Sequence, residues 1–140
     1  MSDYEPVAAI SEAATIVGDR WSPAVIAALL DGPLRYGALM DRLAGIAPNI
    51  LSSRLKKLEA DGLVVSSLYS ERPARFEYRL TESGAELSDL LTLLAAWGAR
   101  RLSSYPGPTH AVCGTPLQVA WWCPTCATTA DPDDDQPIIV

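Results

Sequence analysis

Pro48-Asn49-Ile50-Leu51-Ser52-Ser53-Arg54-Leu55-Lys56-Lys57-Leu58-Glu59-Ala60-Asp61 is the stretch on which the fold turns. Its pattern predicts a helix over residues 48–61. At about 100° per residue, Leu51, Leu55 and Leu58 fall within about 60° of one another. Asn49, Ser53, Lys56 and Lys57 collect on the opposite side. One face is apolar, while the other is polar and short near the N-terminus and basic further along. A helix that reads a DNA major groove needs this division, because its first residues meet base edges and its cations meet phosphate. An ordinary amphipathic helix with solvated lysines has the same pattern, so this helix alone leaves the two readings level.

The flanking segments break the tie. Downstream, residues 63–69 are rich in β-formers, and Arg75 to Leu80 alternates Phe76, Tyr78 and Leu80 with Arg75, Glu77 and Arg79. Residues 70–74 join them, which places Arg72 and Arg75 at or near the tip of a hairpin. Thr81 then caps a long helix expected over 82–102. Upstream, residues 7–17 form a first helix ended by Gly18, and Ser22-Pro23 opens a second with Ser22 as its cap. Residues 36–43 form a short third helix, followed by the Ala44-Gly45 turn. Helix, turn, helix, hairpin, helix is the order of a winged helix, mainly α with a β-hairpin wing. The DNA-facing residues expected from it are Arg35, Asn49, Ser52, Ser53, Arg54, Lys56, Lys57, Arg72 and Arg75.

Net charge is −6, which taken in bulk argues against a nucleic-acid partner. The distribution reverses that. From Arg35 to Arg79 there are eight basic residues against five acidic ones, whereas the last ten residues hold four aspartates. Binding to DNA depends on the local footprint. A window of +3 is a modest footprint, so affinity is expected to need a dimer. The apolar positions Leu87, Leu90, Leu91, Leu94, Ala95 and Trp97 exceed what one small domain covers and supply a candidate dimer face, with intramolecular packing against the tail as the alternative. The start lacks a basic region before an apolar run, and no apolar run reaches membrane length. A cytoplasmic protein with no membrane partner is the expectation.

Together these residues resemble the HxlR-type branch of the MarR-like winged-helix regulators. The resemblance is carried by Val17-Gly18-Asp19-Arg20-Trp21, Gly32-Pro33-Leu34-Arg35-Tyr36, Leu43-Ala44-Gly45-Ile46, Leu51 to Val64, Glu71 to Thr81, and Trp97-Gly98. It covers roughly residues 7–102 and implies a homodimeric transcription factor that binds a double-stranded operator through helix 48–61 and wing 70–75. Repression is the commoner behaviour of such proteins. Members that sense oxidants commonly carry a cysteine near the start of the first helix, but the matching position here is Ala8, which has nothing to oxidise. The residue ahead of the recognition helix is usually a hydroxyl cap; here it is Ala47, followed by Pro48. A small-molecule effector pocket is expected near Trp21, Tyr36, Tyr78 and Trp97, with plain core packing as the alternative for these aromatics.

All three cysteines and the only histidine fall in the tail, as His110-x2-Cys113-x9-Cys123-x2-Cys126. This spacing allows a four-coordinate Cys3His zinc site of structural type, closed by protein ligands. No thioredoxin-like alternation of strands and helices surrounds the Cys-x-x-Cys pair, as a redox motif would require. A reducing compartment disfavours a disulfide, and haem attachment would want His where Ala127 stands. The domain plan is therefore a winged-helix and dimerisation domain at 1–104, a zinc-ribbon-like appendage at 105–128 and a flexible acidic tail at 129–140. Trp121 and Trp122 are expected to seat the appendage on the last helix.

Two functions follow. The first is a dimeric, sequence-specific DNA-binding regulator. The alternative is a protein-interaction adapter that uses the winged helix as a dimer scaffold and the ribbon as its contact. An enzyme is not expected, since no catalytic base is paired with a nucleophile.

Overall fold

A computed structural model of the chain describes residues 6–102 and 105–130. The elements run α1 (Pro6–Val17), α2 (Trp21–Leu29), β1 (Leu34–Arg35), α3 (Tyr36–Arg42), α4 (Pro48–Ala60), β2 (Val64–Glu71), β3 (Ala74–Leu80), α5 (Glu82–Ala85), α6 (Ser88–Ala99), β4 (Trp121–Cys123) and β5 (Thr128–Ala130). They divide into two compact units, residues 1–91 and 92–140. The division falls inside α6 rather than after residue 104.

The first unit is built on the apolar stripe of α4. Leu51, Leu55 and Leu58 are buried against Val25, Ile26 and Leu29 of α2, Leu39 of α3, and Leu43, Ile46, Leu63 and Val64. Burial of this set removes several side chains from water at about 1.5–3 kcal/mol each. α2 begins one residue earlier than its Ser-Pro signal suggests. Ser22 is buried inside the helix, and Asp19 does the capping: its carboxylate accepts from the Trp21 and Ser22 amides at 2.9 and 3.0 Å. It also accepts from the Ser22 hydroxyl. A carboxylate outcompetes a hydroxyl here because it accepts several bonds and favours the positive end of the helix dipole.

α4 has no side-chain cap at Ala47, as its sequence foretells. Its first turn is held instead from α3. The Tyr36 hydroxyl donates to the Pro48 carbonyl at 2.7 Å and lies 3.2 Å from the Ser52 hydroxyl. Gly62 takes the left-handed conformation after α4, with φ 72°, and turns the chain into β2.

The wing is an antiparallel hairpin with Val64 opposite Leu80 and Glu71 opposite Ala74. The joining loop shrinks from five expected residues to Arg72-Pro73, linked by a cis peptide, because Ser70 pairs with Arg75 and Glu71 with Ala74. The two-residue strand β1, not foreseen in the sequence, pairs with β3 and gives the sheet order β1-β3-β2. The long terminal helix is two helices. Thr81 caps α5 through its hydroxyl, which accepts from the Gly84 amide at 3.0 Å and donates to the Gly62 carbonyl at 2.6 Å. A Cβ on Gly84 would overlap the Leu63 carbonyl, so this glycine lets α5 pack against the start of the wing. The Leu87 amide then bonds back only three residues, to Gly84, and the ladder is interrupted before α6.

In the second unit, Ala96, Ala99 and Arg100 of α6 and residues Pro106, Gly107, Pro108, Pro116 and Leu117 line a cavity of about 220 Å³. The proline-rich segment therefore lies on α6. Trp121 and Trp122, expected to make that contact, sit in β4 and are exposed. β5 runs to Ala130, two residues past the expected edge of the appendage. The aspartate run at 131–135 lies outside the described residues. Among the described residues no helix is long and apolar enough to cross a membrane.

Leu51→Ala should lower unfolding free energy by about 2–5 kcal/mol. Exposed Lys56→Ala, one turn away, should stay within about 0.5 kcal/mol of wild type. Urea unfolding of the two variants checks this, and similar costs would contradict the assigned faces.

Candidate nucleic-acid interface

The outward face of α4 carries Asn49, Ser53 and Lys56, all exposed. Ser52 is half-buried beside Tyr36. Two residues expected on DNA have partners inside the protein. Lys57 donates from Nζ to the Ile16 carbonyl and to Asp61 Oδ2, each at 2.9 Å, and so ties α4 to the end of α1. Arg54 places Nε 3.4 Å from Asp19 Oδ1, and this nitrogen is buried without a hydrogen bond. The helical wheel contains the reason. Arg54 lies about 60° from Leu51, on the shoulder of the core stripe, whereas Lys57 lies on the polar side and reaches back to the end of α1 through its long side chain.

Asp19 thus joins two helices: it caps α2, where it also receives the Ser22 side chain, and it faces Arg54 of α4. Burial pushes its carboxyl up, but the Ser22 and Trp21 hydrogen bonds and the Arg54 charge outweigh that and hold it below the ordinary value.

Beside α4 stands the wing. Arg72 and Arg75 are exposed at its tip, and among the described residues neither they nor Lys56 are in an ion pair. Tyr69 is the extra residue of a bulge between Leu68 and Ser70. Such a bulge re-aims a side chain, and here the Arg35 guanidinium lies 4.1 Å over the Tyr69 ring. Arg35, Tyr36, Tyr69, Arg75, Phe76 and Tyr78 line an open cleft of about 480 Å³ between the start of α3 and the wing.

Two of the four aromatics expected to form one effector pocket lie together. Tyr36 and Tyr78 line that cleft. Burial raises the Tyr78 pKa, with smaller contributions from Glu59 and Tyr36. Trp21 is half-buried against the core with Arg20 over its ring, and does not line the cleft. Trp97 belongs to the second unit, where it is exposed with Arg101 at 4.5 Å over its ring. The Arg35–Tyr69 stack and the Tyr36 tether were missed in the sequence, because neither has a spacing signal.

The tail brings its candidate metal ligands together in pairs. His110 Nδ1 lies 3.2 Å from Cys113 Sγ, and the Cys123 and Cys126 thiols are in hydrogen-bond contact. Hydrogen bonds with the Thr115 side chain and backbone, and then with His110, lower the Cys113 pKa to about 7. Among the described residues, no three His, Cys, Asp or Glu side chains converge on one point as metal ligands.

A tethered helix with a polar outward face, beside a hairpin tipped with arginine, defines the winged helix-turn-helix class. Residues 16–105 match the HxlR-like helix-turn-helix family, and the chain belongs to it. It is 35% identical over 98 residues to an HTH-type transcriptional regulator of Methanothermobacter thermautotrophicus, covering 70% of this chain and 75% of that one. An HTH-type regulator of Mycobacterium bovis is 36% identical over 121 residues, covering 84% and 76%. The reduced form of the transcriptional regulator YodB from Bacillus subtilis superposes with a TM-score of 0.58 at 31% identity, covering 70% of this chain and 94% of that one. Family and relatives are transcriptional regulators rather than enzymes, and the chain is a DNA-binding regulator of MarR-like winged-helix fold.

Because the folded Asp19 pKa lies below 3.8, its ionic contribution to stability is complete above that pH and is lost as pH falls through the folded value. Asp19→Asn should therefore cost about 1 kcal/mol at neutral pH, with the gap to wild type closing in acid. Denaturant unfolding at pH 7 and near pH 3 checks the sign; a gap independent of pH would contradict it.

Proposed function

We propose that the protein is a homodimeric, sequence-specific repressor that inserts α4 into the major groove and lays the wing tip on the flanking backbone or minor groove. The observation that carries this reading is the exposed row Asn49, Ser53 and Lys56 on α4, with Arg72 and Arg75 exposed on the adjacent hairpin. In it, Asn49 and Ser53 face base edges, while Lys56, Arg72, Arg75 and Arg35 face phosphate. Arg54 and Lys57 act from inside, setting the angle of α4. Two copies on a two-fold operator would place their recognition helices in successive major grooves, about 34 Å apart, and would block transcription sterically.

A dimer is supported by apolar surface on two helices. α1 buries none of its residues and exposes Val7 and Ile10, and α6 exposes Leu90, Leu94 and Trp97. Each face is a candidate for cover by a second copy. The open cleft bounded by Arg35, Tyr69 and Tyr78 is the place for a small-molecule effector, and its cationic rim suits an anion. No observation favours the adapter reading over this one.

DNA selected by the protein from a random pool supplies the test. Each lost phosphate contact should lower the slope of log affinity against log salt by about 1. Lys56→Ala and Arg72→Ala should each weaken binding while leaving the fold intact; unchanged affinity in both would overturn the groove-and-wing assignment. In sedimentation equilibrium the wild type should run as a dimer, and Ile10→Glu with Leu94→Glu as a monomer. A monomeric wild type would contradict the dimer.

A further inference from the structure

The tail holds two loops built to one plan. In the first, the His110 amide donates to the Thr115 carbonyl at 2.9 Å, and the Gly114 amide donates back to the His110 carbonyl at 2.7 Å. Gly114, the residue after Cys113, is left-handed with φ 70°. A bridge between Thr109 and Pro116 closes the loop. In the second, Cys123 pairs across the β4–β5 hairpin with Thr128, five positions on, as His110 does with Thr115. Ala127, the residue after Cys126, is left-handed with φ 52°.

The two loops therefore share one pattern: a ligand residue, two intervening residues, a cysteine, a left-handed residue and a threonine that pairs with the first. In each, the tight turn brings the two ligand side chains together, at 3.2 Å for His110 and Cys113 and within hydrogen-bond contact for Cys123 and Cys126. Ala127 is the only non-glycine residue with positive φ among the described residues. An alanine does not take that conformation for its own sake. A backbone outlier that persists points to a functional constraint on the loop. A turn that aims two ligands at one point is such a constraint.

We propose that the tail is a two-knuckle metal site that binds one Zn²⁺ through His110, Cys113, Cys123 and Cys126. Three thiolates and one imidazole form the soft, four-coordinate tetrahedral set that zinc takes in structural sites. His110, Cys113 and Cys126 are exposed and Cys123 is half-buried, so the ion reaches the ligands from solvent. The two pairs do not meet in the described structure. On this account the ion draws one knuckle onto the other and displaces the thiol protons as it binds. Four protein ligands leave no open position, so the metal orders the tail and does no chemistry. Trp121 and Trp122, adjacent to Cys123 and exposed, then report the closure.

The full-length chain, purified under reducing conditions, should contain one zinc per chain by elemental analysis. Stripped protein titrated with Co²⁺ should show the visible bands of tetrahedral thiolate cobalt, saturating at one equivalent, with a change in tryptophan fluorescence. Cys113→Ser and Cys126→Ser, one from each knuckle, should each lose at least tenfold in Co²⁺ affinity. His110→Cys should retain the metal, as a conservative replacement of one soft ligand. Circular dichroism of each variant verifies that the winged helix remains folded. Absence of stoichiometric metal would overturn the proposal. So would a Cys123–Cys126 disulfide in the reduced preparation, or a Cys113→Ser variant that binds Co²⁺ as tightly as wild type. None of these readouts involves DNA.

Discussion

One carboxylate sets the position of the recognition helix. Asp19 accepts the amides that begin α2 and faces Arg54 on α4, while Tyr36 holds the other side of α4 by its first turn. Between these two grips lies the stripe of Leu51, Leu55 and Leu58, buried to 2% or less. The stripe supplies the energy, because apolar burial is worth more than a half-exposed ion pair. The polar grips supply the direction. Leucine packing tolerates some rotation of a helix about its axis, but a hydroxyl bonded to one carbonyl and a carboxylate facing one guanidinium do not. In the proposed function the helix offers DNA a row of short side chains, and such a row works only if its angle is fixed.

The same economy explains the charge pattern. Of the four cations on or next to the α4 surface, Arg54 and Lys57 hold the protein together, and Arg42 likewise donates to the Ala28 carbonyl and pairs with Asp31. Lys56, Arg72, Arg75 and Arg35 are exposed, and the proposed function assigns them to phosphate. Four contacts per copy make a weak electrostatic anchor at physiological salt. In the proposed dimer, pairing two copies on one duplex would raise the effective concentration of the second site without new contacts, which offsets an overall negative charge.

Most of the first unit was legible in the sequence because its signals are periodic. The leucine spacing of α4, the alternation of β3 and the Thr81 cap each express a local rule, and each element stands within a residue or two of its expected place. What escaped was non-local or competitive. β1 is two residues long and exists only because β3 lies beside it. Ser22 carries a fair cap signal, yet Asp19 three residues earlier is the stronger acceptor and wins. The 82–102 helix is interrupted where the Leu87 amide bonds back only three residues, to Gly84, a break no helix propensity encodes. At the site, the wheel places Arg54 on the shoulder of the core stripe and its charge pointed to DNA, whereas Lys57 stands on the polar side and its bond to the Ile16 carbonyl has no local signal. Trp21 does not line the cleft that Tyr36 and Tyr78 share, because residue type carries no information about distance. In the tail, the ligand spacing was plain, but the matching backbone of the two loops became visible only with the left-handed residues at 114 and 127.

The central claim is that the α4 face and the wing tip touch DNA together while the Asp19 node stays inside the protein. Amide hydrogen exchange of the protein with and without its selected DNA measures this directly. The account predicts new protection in the first turns of α4 and at the Arg72–Arg75 tip, with the amides around the buried Leu55 and Val25 unchanged. Protection confined to the second unit, or absent from both α4 and the wing, would contradict it.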